Sequence, residues 1–415
     1  GYALGDLPPV TKAMMMEHFD DYCTDRRIRR EPLRRFVHDR GNVGKKYLGH
    51  VALHTSGTAG EPALIVHDAR SMAHLKAMSS CRGTGPAFTP RRILRLMTRE
   101  RMRVAAVLMD GGLYPSYSMF VHPSKLDALV MEVRAFSIRS PPRALVEALN
   151  RYQPTVLVGY PTVLEALARE QLAGTLGILR GRPDGAVVTV SEPLTPAARR
   201  VIAQAFEAPV DDQYGTGECL NVAKSCGQGQ GLHVNVDLAI LEVVDREGRP
   251  VPAGQFGHKV YLTNLENRVQ PFIRYEIPDV VAYSETPCPC GSPLPLLKEV
   301  SGRTDDILYV TRPGGGYEVV HPYAMMVPLL HRHDIREYQV KQVARDAFEV
   351  SIVLADGNAP RPGEIEDALV ASLRSSRVHA DLHVAVTCVD RIAPDVKSGK
   401  TRRIWSAIGA PADLQ

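Results

Sequence analysis

Between residues 142 and 210 one pattern repeats. Leu145, Val146, Ala148 and Leu149 recur at helical spacing over Pro142–Tyr152, and a short β-branched run, Thr155–Val158, follows. Gly159, Tyr160 and Pro161 then lead into a second helical stretch through Arg169, the run Ala186–Val190, a helix over Thr195–Phe206, and Val210. Short apolar runs alternating with amphipathic helices imply βαβ units, so a mostly parallel sheet with helices on its faces is expected. Upstream, Val51–His54 and Ala63–Val66 read as strands flanking a Gly-rich turn, and Ile93–Met97 and Arg103–Leu108 as further strands.

The rhythm changes near Leu238. Leu238–Val244, Gly257–Thr263, Phe272–Tyr275 and Val280–Tyr283 form a β-rich stretch with Gly and Pro turns. After Gly302 a smaller unit follows, with strands Tyr338–Gln342, Phe348–Leu354 and Leu382–Cys388, a helix Pro362–Leu373 and a polar tail. The expected fold class is α/β. A large N-terminal domain over 1–302 holds mostly parallel sheets and a β-rich subregion at about 219–300; a small mobile α+β C-terminal domain occupies 303–415.

The 415 residues exceed one small domain, at about 150 residues per domain. With 44% hydrophobic and 23% charged residues, a wholly disordered chain is excluded. The net charge of +4 is mild and its cations are dispersed, so nothing calls for nucleic acid. The densest basic stretch, Arg26–Arg40, is broken by Glu31, Pro32 and Asp39 and reads as a solvated helix face. No uninterrupted apolar run long enough for a membrane span occurs, and no signal-peptide pattern opens the chain. The first residue is Gly1 rather than Met, which leaves room for residues upstream. Seven cysteines, an odd number, favour reduced thiols and a cytoplasmic setting.

The turn Thr55–Pro62 reads Thr-Ser-Gly-Thr-Ala-Gly-Glu-Pro. Hydroxyls and amides there can donate to phosphate oxygens, and glycines let backbone approach closely. It lacks the terminal Gly-Lys-Ser/Thr of a Walker loop and precedes a strand, so a Walker-type NTPase is not expected. The run resembles the phosphate loop of adenylate-forming enzymes, the superfamily of acyl-CoA synthetases, adenylation domains and luciferases. Four further segments follow in that superfamily's order. Asp212–Glu218 resembles Y-G-x-T-E, Arg274–Asp279 Y-R-x-x-D, Gly302–Asp306 G-R-x-D-D, and Gly399–Arg403 G-K-x-x-R. Leu7–Lys12, Gly159–Pro161 and Cys288–Gly291 are similar to the phenylacetate-CoA ligase and CapK-like group. Glu61 stands where the phosphate loop usually carries Lys, a departure expected to weaken or reshape pyrophosphate binding.

The resemblance implies roles. Thr55, Ser56, Gly57, Thr58 and Gly60 would hold the ATP phosphates. Thr216 and Glu218 would be catalytic, with Glu218 on Mg²⁺, a hard cation that prefers oxygen. Tyr214 would stack on adenine beside Gly215. Asp279 would accept both ribose hydroxyls, and Arg303 would reach the ribose or phosphate edge. Lys400 would bridge the carboxylate and the α-phosphate, and Asp305 would be the hinge about which the small domain turns between half-reactions. Tyr114, Tyr117, Tyr160, Pro161, Ser191 and Glu192 would line the acid pocket, whose aromatic content favours an aryl or arylacetic acid.

Cys226, His233, Cys288 and Cys290 flank the β-rich stretch and could converge as a closed, structural Cys₃His zinc site; the alternative is three buried thiols and a surface imidazole. Cys23, Cys81, Cys219 and Cys388 read as buried small hydrophobes. The function the resemblance implies is an AMP-forming ligase that activates an aromatic (aryl or arylacetic) carboxylic acid with ATP and Mg²⁺ to an acyl-adenylate and transfers it to coenzyme A. Transfer to an amine or a carrier-protein thiol, activation of nitrite, and nucleotide binding without turnover are the alternatives. No nucleic-acid or membrane partner is expected, and a homodimer is neither required nor excluded.

Overall fold

The structure is a computed structural model that describes residues 3–55, 62–82, 101–109, 112–115, 117–118, 131–138, 140–303, 308–320, 325, 328–329, 332, 334–355, 362–375, 381–393, 401–409 and 411. Strands β1 (Val51–His54) and β2 (Leu64–His67) form an antiparallel hairpin, with Val51 opposite His67 and His54 opposite Leu64. Then come β3 (Met102–Leu108), β4 (Met131–Ser137), β5 (Val156–Gly159), β6 (Ala186–Val190) and β7 (Val210–Tyr214). These five are mutually parallel, in the order β4-β3-β5-β6-β7. The expectation of a parallel βαβ core is met.

The central strands β3, β5 and β6 are largely buried on both faces, as parallel strands are when helices cover them, whereas β4 is mostly exposed or half-buried and β7 mostly half-buried. Alternate residues of β3 enter two separate cores. Ala105 and Val107 join Leu157, Val187 and the helices Pro142–Tyr152, Pro161–Leu172 and Pro196–Phe206. Val104, Ala106 and Leu108 join Val158, Tyr160 and Val190 on the other face. Truncating a residue such as Leu149, fully buried in the first core, costs about 2–5 kcal/mol.

The β-rich stretch divides between two sheets. Strands β8 (Ala223–Ser225), β9 (Leu232–Val234), β13 (Asp279–Tyr283) and β14 (Leu296–Arg303) extend the same sheet to nine strands, in the order β13-β14-β9-β8-β7 onward. Strands β10 (Ala239–Val244), β11 (Lys259–Asn264) and β12 (Tyr275–Ile277) make a three-stranded antiparallel sheet of their own. The strand expected over Phe272–Tyr275 begins only at Tyr275, because Arg274 takes a left-handed φ of 45°. That buried guanidinium pairs with Glu242 at 3.0 Å and donates to the Gly5 carbonyl, clamping the N-terminal segment.

Two units divide the chain. One comprises Gly1–Leu194, Ala198–Ile277 and Val281–Val300; the other Thr195–Ala197, Pro278–Val280 and Ser301–Gln415. In the second unit, β15 (Leu308–Thr311) pairs with β16 (Tyr317–Val320), and a four-stranded sheet runs in the order β19-β18-β17-β20. Its strands are β17 (Ile335–Ala344), β18 (Ala347–Leu354), β19 (His383–Cys388) and β20 (Ile404–Ser406), with the helix Pro362–Ser375 packed on them. The expected polar tail therefore contains a strand. Ile404 pairs in parallel with Val340, and the amide of Val340 donates to the Arg403 carbonyl at 2.7 Å. Cys388 also departs from expectation: it is exposed, because β19 is the edge strand. Cys23 and Cys219 are buried as expected; the Cys81 side chain and the Ile93–Met97 run lie outside the described residues. Among the described residues no helix is long and apolar enough to cross a membrane.

Candidate functional site

Thr55 closes the β1–β2 hairpin: its amide donates to Ala63 O at 3.1 Å, and its Oγ1 accepts from Ala63 N at 2.9 Å. Ser56, Gly57, Thr58 and Gly60 lie outside the described residues. Among the described residues β2 pairs only with β1, and on its outer side amide side chains take a strand's place. Gln270 Oε1 accepts from Val66 N at 2.7 Å and its Nε2 donates to Leu64 O at 3.1 Å, while Asn267 Nδ2 donates to Val66 O at 2.8 Å. Unpaired, these buried backbone groups would each cost about 1–3 kcal/mol.

The second element is the turn leaving β7. Tyr214 is half-buried; Thr216 N donates to Cys219 O at 2.9 Å, and Thr216 Oγ1 accepts from Cys219 N at 3.2 Å. A Cβ on Gly215 would sit 2.3 Å from Leu220 O, so only glycine fits. A Cβ on Gly217 would sit 2.6 Å from Ile65 Cδ1 and 3.6 Å from Thr55 Cγ2. The turn is thus pressed against the hairpin at its Thr55 end. Glu218 follows, 7% exposed, and Asn264 Nδ2 donates to its carbonyl at 2.7 Å. Tyr22 registers the buried carboxylate: burial first, then Cys23 and Glu218, push its phenol up to about 12. Beside the turn, Lys224 and Asp211 form a buried ion pair at 3.0 Å.

Of the pocket residues, Tyr160 is 1% exposed and its hydroxyl accepts from Met109 N at 3.4 Å. Tyr114 and Tyr117 pack against the same core face as Tyr160. Pro161 opens its helix and is buried. Ser191 holds a left-handed φ of 68°, a strained conformation of the kind that clusters at functional sites. Glu192 accepts from Thr162 N at 3.2 Å and Thr162 Oγ1 at 2.8 Å, tying its loop to that helix's first turn, where a negative charge is favoured.

Asp279 is buried at the start of β13. Arg303 ends β14 with its side chain outside the described set, and Asp305 and Lys400 lie outside it altogether.

Several contributors carry no motif. His54 donates its amide to Leu113 O, and its ring stacks on His38 at 5.4 Å and tilts against Tyr114 at 4.9 Å, joining the hairpin to the aromatic cluster. Fully buried His67 contacts Gly217 O through Nε2 at 2.8 Å. Asn264, Asn267 and Gln270 were also missed. Their spacing of three between two strands was the signal available, and it is a faint one.

The cysteine–histidine set does converge. Ligand atoms of Cys226, His233, Cys288 and Cys290 all lie within 4.8 Å of one another. Cys226 and Cys288 Sγ are 3.5 Å apart, and His233 Nε2 is 3.2 Å from Cys290 Sγ. His233 Nδ1 lies 3.1 Å from Leu294 O. A carbonyl only accepts, so Nδ1 carries the proton and Nε2 offers its lone pair to the cluster. Amides of Gln228 and Ser292 donate to Cys226 and Cys290 Sγ, each at 3.4 Å. Burial opposes ionisation of Cys226, yet the Gln228 amide with Cys288 and His233 brings that thiol down to about 6. The soft, tetrahedrally disposable donor set suits Zn²⁺. A carboxylate such as that of Glu218 offers hard oxygen ligands, which would suit Mg²⁺ instead.

Phenylacetate-coenzyme A ligase of Thermus thermophilus is 28% identical over 169 residues, 40% of this chain and 38% of the relative. Protein CapK of Staphylococcus aureus is 27% identical over 170 residues, 41% of this chain and 36% of its own length. The chain thus aligns with well under two thirds of either relative. In fold it is similar to a 2-hydroxyisobutyryl-CoA ligase solved in the postadenylation state with 2-HIB-AMP, with a TM-score of 0.68, 21% identity, and coverage of 97% of this chain and 80% of that one. A family model described as AMP-binding enzyme matches residues 50–259, half of the chain, and spans both the Thr55 hairpin and the Glu218 turn. The chain belongs to the AMP-binding enzyme family, the adenylate-forming superfamily, with phenylacetate-CoA ligase and CapK among its relatives.

Proposed function

We propose that this chain is an AMP-forming ligase that activates an aryl or arylacetic acid with ATP and passes the acyl group to coenzyme A. The observation that carries the reading is the packing of the Glu218 turn against the Thr55 end of the hairpin. In the first step a carboxylate oxygen attacks the α-phosphorus; the bond to the bridging oxygen breaks and pyrophosphate leaves. In the second, the thiol attacks the acyl carbonyl, loses its proton and expels AMP. Both reactants of the first step are anionic, so fixed donors and cations must offset the repulsion. Mg²⁺, held by Glu218 with Thr216 close by, would supply that charge stabilisation.

The chain's own residues do the rest. Thr55 and the loop after it, through Ser56, Gly57, Thr58 and Gly60, hold the phosphates. Tyr214 and Gly215 take the adenine, Asp279 the ribose diol, and Arg303 the ribose or phosphate edge. Tyr114, Tyr117, Tyr160, Pro161, Ser191 and Glu192 shape the acid pocket. Residues 303–415 act as a small domain turning about Asp305, which brings Lys400 to the reacting carboxylate for the first step only.

A screen of aromatic acids for ATP-dependent pyrophosphate release tests the activity, and exchanging acceptors while following AMP tests the thiol. Lys400→Ala is expected to slow adenylation about 100-fold or more and to spare thioester formation from preformed adenylate. Equal loss in both steps overturns the two-conformation mechanism.

The same reading places structural Zn²⁺ on Cys226, His233, Cys288 and Cys290. Four protein ligands leave no position for water, so this ion takes no part in the chemistry. Thiolate ligands also fit a cytoplasmic, reducing setting. Purified protein should contain about one zinc per chain, and less than about a tenth of an equivalent overturns the assignment.

A further inference from the structure

We infer that His67 and Asn264 are positioning residues that fix the Glu218 carboxylate by holding the two backbone carbonyls on either side of its Cα. The inference rests on the ligase reading, in which Glu218 meets the metal–nucleotide complex. The Glu218 turn carries glycine at 215 and 217, and glycine leaves backbone freer than any other residue. The Thr216–Cys219 bonds close the turn upon itself but tie it to no other element. Two side chains from separate elements supply those ties. His67, on β2, donates from Nε2 to Gly217 O at 2.8 Å. Asn264, at the end of β11, donates from Nδ2 to Glu218 O at 2.7 Å.

Both donors have their orientation fixed. Asn264 Oδ1 accepts from the amides of Glu266 at 2.9 Å and Asn267 at 3.1 Å, so its NH₂ must face Glu218. Gly217 O can only accept, so His67 carries its proton on Nε2; Asn267 Nδ2 lies 3.5 Å from Nδ1. Full burial keeps the ring neutral by lowering its pKa. Asn267 also donates to Val66 O, one residue before His67, so one bracket spans hairpin and turn. Neither side chain needs to touch a ligand. Each acts through a carbonyl next to the group that does, as outer-shell partners of metal-binding carboxylates do.

The test uses the full chain and four proteins: wild type, His67→Leu, His67→Gln and Asn264→Ala. Mn²⁺ binding in the presence of α,β-methylene-ATP is followed by the electron paramagnetic resonance of free Mn²⁺, beside the Mg²⁺ dependence of pyrophosphate release. Losing an outer-shell partner typically weakens metal affinity about 10-fold or more, so H67L and N264A should raise the Mn²⁺ dissociation constant by about that factor. Metal-free binding of the analogue should change less than about twofold, a split that general loosening of the fold would not produce. Gln places an amide N–H near the lost Nε2–H, and H67Q should stay within about threefold of wild type. Melting curves identify any variant that fails to fold, and N264A tests the second arm if H67L is lost. Folded H67L and N264A with unchanged Mn²⁺ affinity overturn the inference while the ligase reading stands. Wild type that binds no Mn²⁺ with the analogue overturns both.

Discussion

The thiol–imidazole cluster and the Glu218 bracket solve one problem by different means. Each fastens a loop leaving a strand to a neighbouring hairpin. At the cluster, Cys226 and His233 on the β8–β9 hairpin face Cys288 and Cys290 in the loop between β13 and β14, and four soft donors converge on one point. At the bracket, His67, Asn267 and Gln270 fasten the β1–β2 hairpin, and Asn264 the Glu218 turn, to their surroundings through neutral hydrogen bonds to backbone atoms. Ligands are fixed by valence and geometry, and few residue types can serve. Neutral hydrogen bonds are each worth about 0.5–1.5 kcal/mol net, and several residue types can supply them. The first device is therefore written in a distinctive alphabet and the second in a common one.

The comparison breaks most sharply at Glu218. Glu218→Gln removes the charge and keeps the shape. Pyrophosphate release should fall by about 100-fold or more, with zinc content unchanged. Loss of zinc in that variant would mean that the two regions are one structural unit rather than two.

Cys288→Ser probes the other side. Zinc should drop from about one equivalent to a small fraction, and the melting temperature should fall by about 5 °C or more, since structural metal affinity is folding free energy. Activity should follow the fraction folded, measured at a temperature where both proteins are native. A melting temperature within about 1 °C of wild type in zinc-free protein would show that the cluster is three thiols and an imidazole with no structural ion.

Gln270→Ala sits lower in the order. It leaves Val66 N and Leu64 O without their side-chain partner, at a cost of about 1–3 kcal/mol. Urea unfolding should show that loss, and a change below about 0.3 kcal/mol would mean that water replaces the amide.

These contrasts explain what could be read in advance. The helix Pro142–Tyr152 and the strand Ala186–Val190 have the bounds their apolar spacing predicts, because burial on a sheet face enforces that spacing. Gly215 was reached through a motif, and its glycine is dictated by backbone contact, since a Cβ there would meet Leu220 O. The strand Ile404–Ser406 was missed because three residues in a polar context carry no period, and its existence depends on β17 lying alongside. Phe272 suggested a strand because it is apolar and buried, but Arg274 breaks the backbone two residues later. His67, Asn264 and Gln270 were missed because an imidazole or amide looks the same in sequence whether it faces solvent or an orphaned carbonyl. Only the tertiary neighbour distinguishes the two.

The smallest expected effect is one of pH, and it separates the two regions by mechanism. His67 has its pKa lowered by burial, which outweighs the Gly217 carbonyl and the nearby Asp68 charge that both raise it. In the unfolded chain the ring protonates near its ordinary value of about 6.5. The folded protein resists that proton, so below about pH 6.5 the unfolded state binds more protons and stability falls with pH. Acid also weakens the cluster, because protons compete with metal for thiolates. The bracket's share titrates with His67 and disappears when the ring is replaced; the cluster's share disappears when zinc is absent. Melting temperature against pH from about 7.5 to 5.5 should therefore be flatter in H67Q than in wild type, and the same difference should persist between zinc-free forms of the two proteins. Parallel profiles for H67Q and wild type would mean that His67 takes up its proton equally in the folded and unfolded states over this range, and the bracket would then contribute nothing to acid sensitivity.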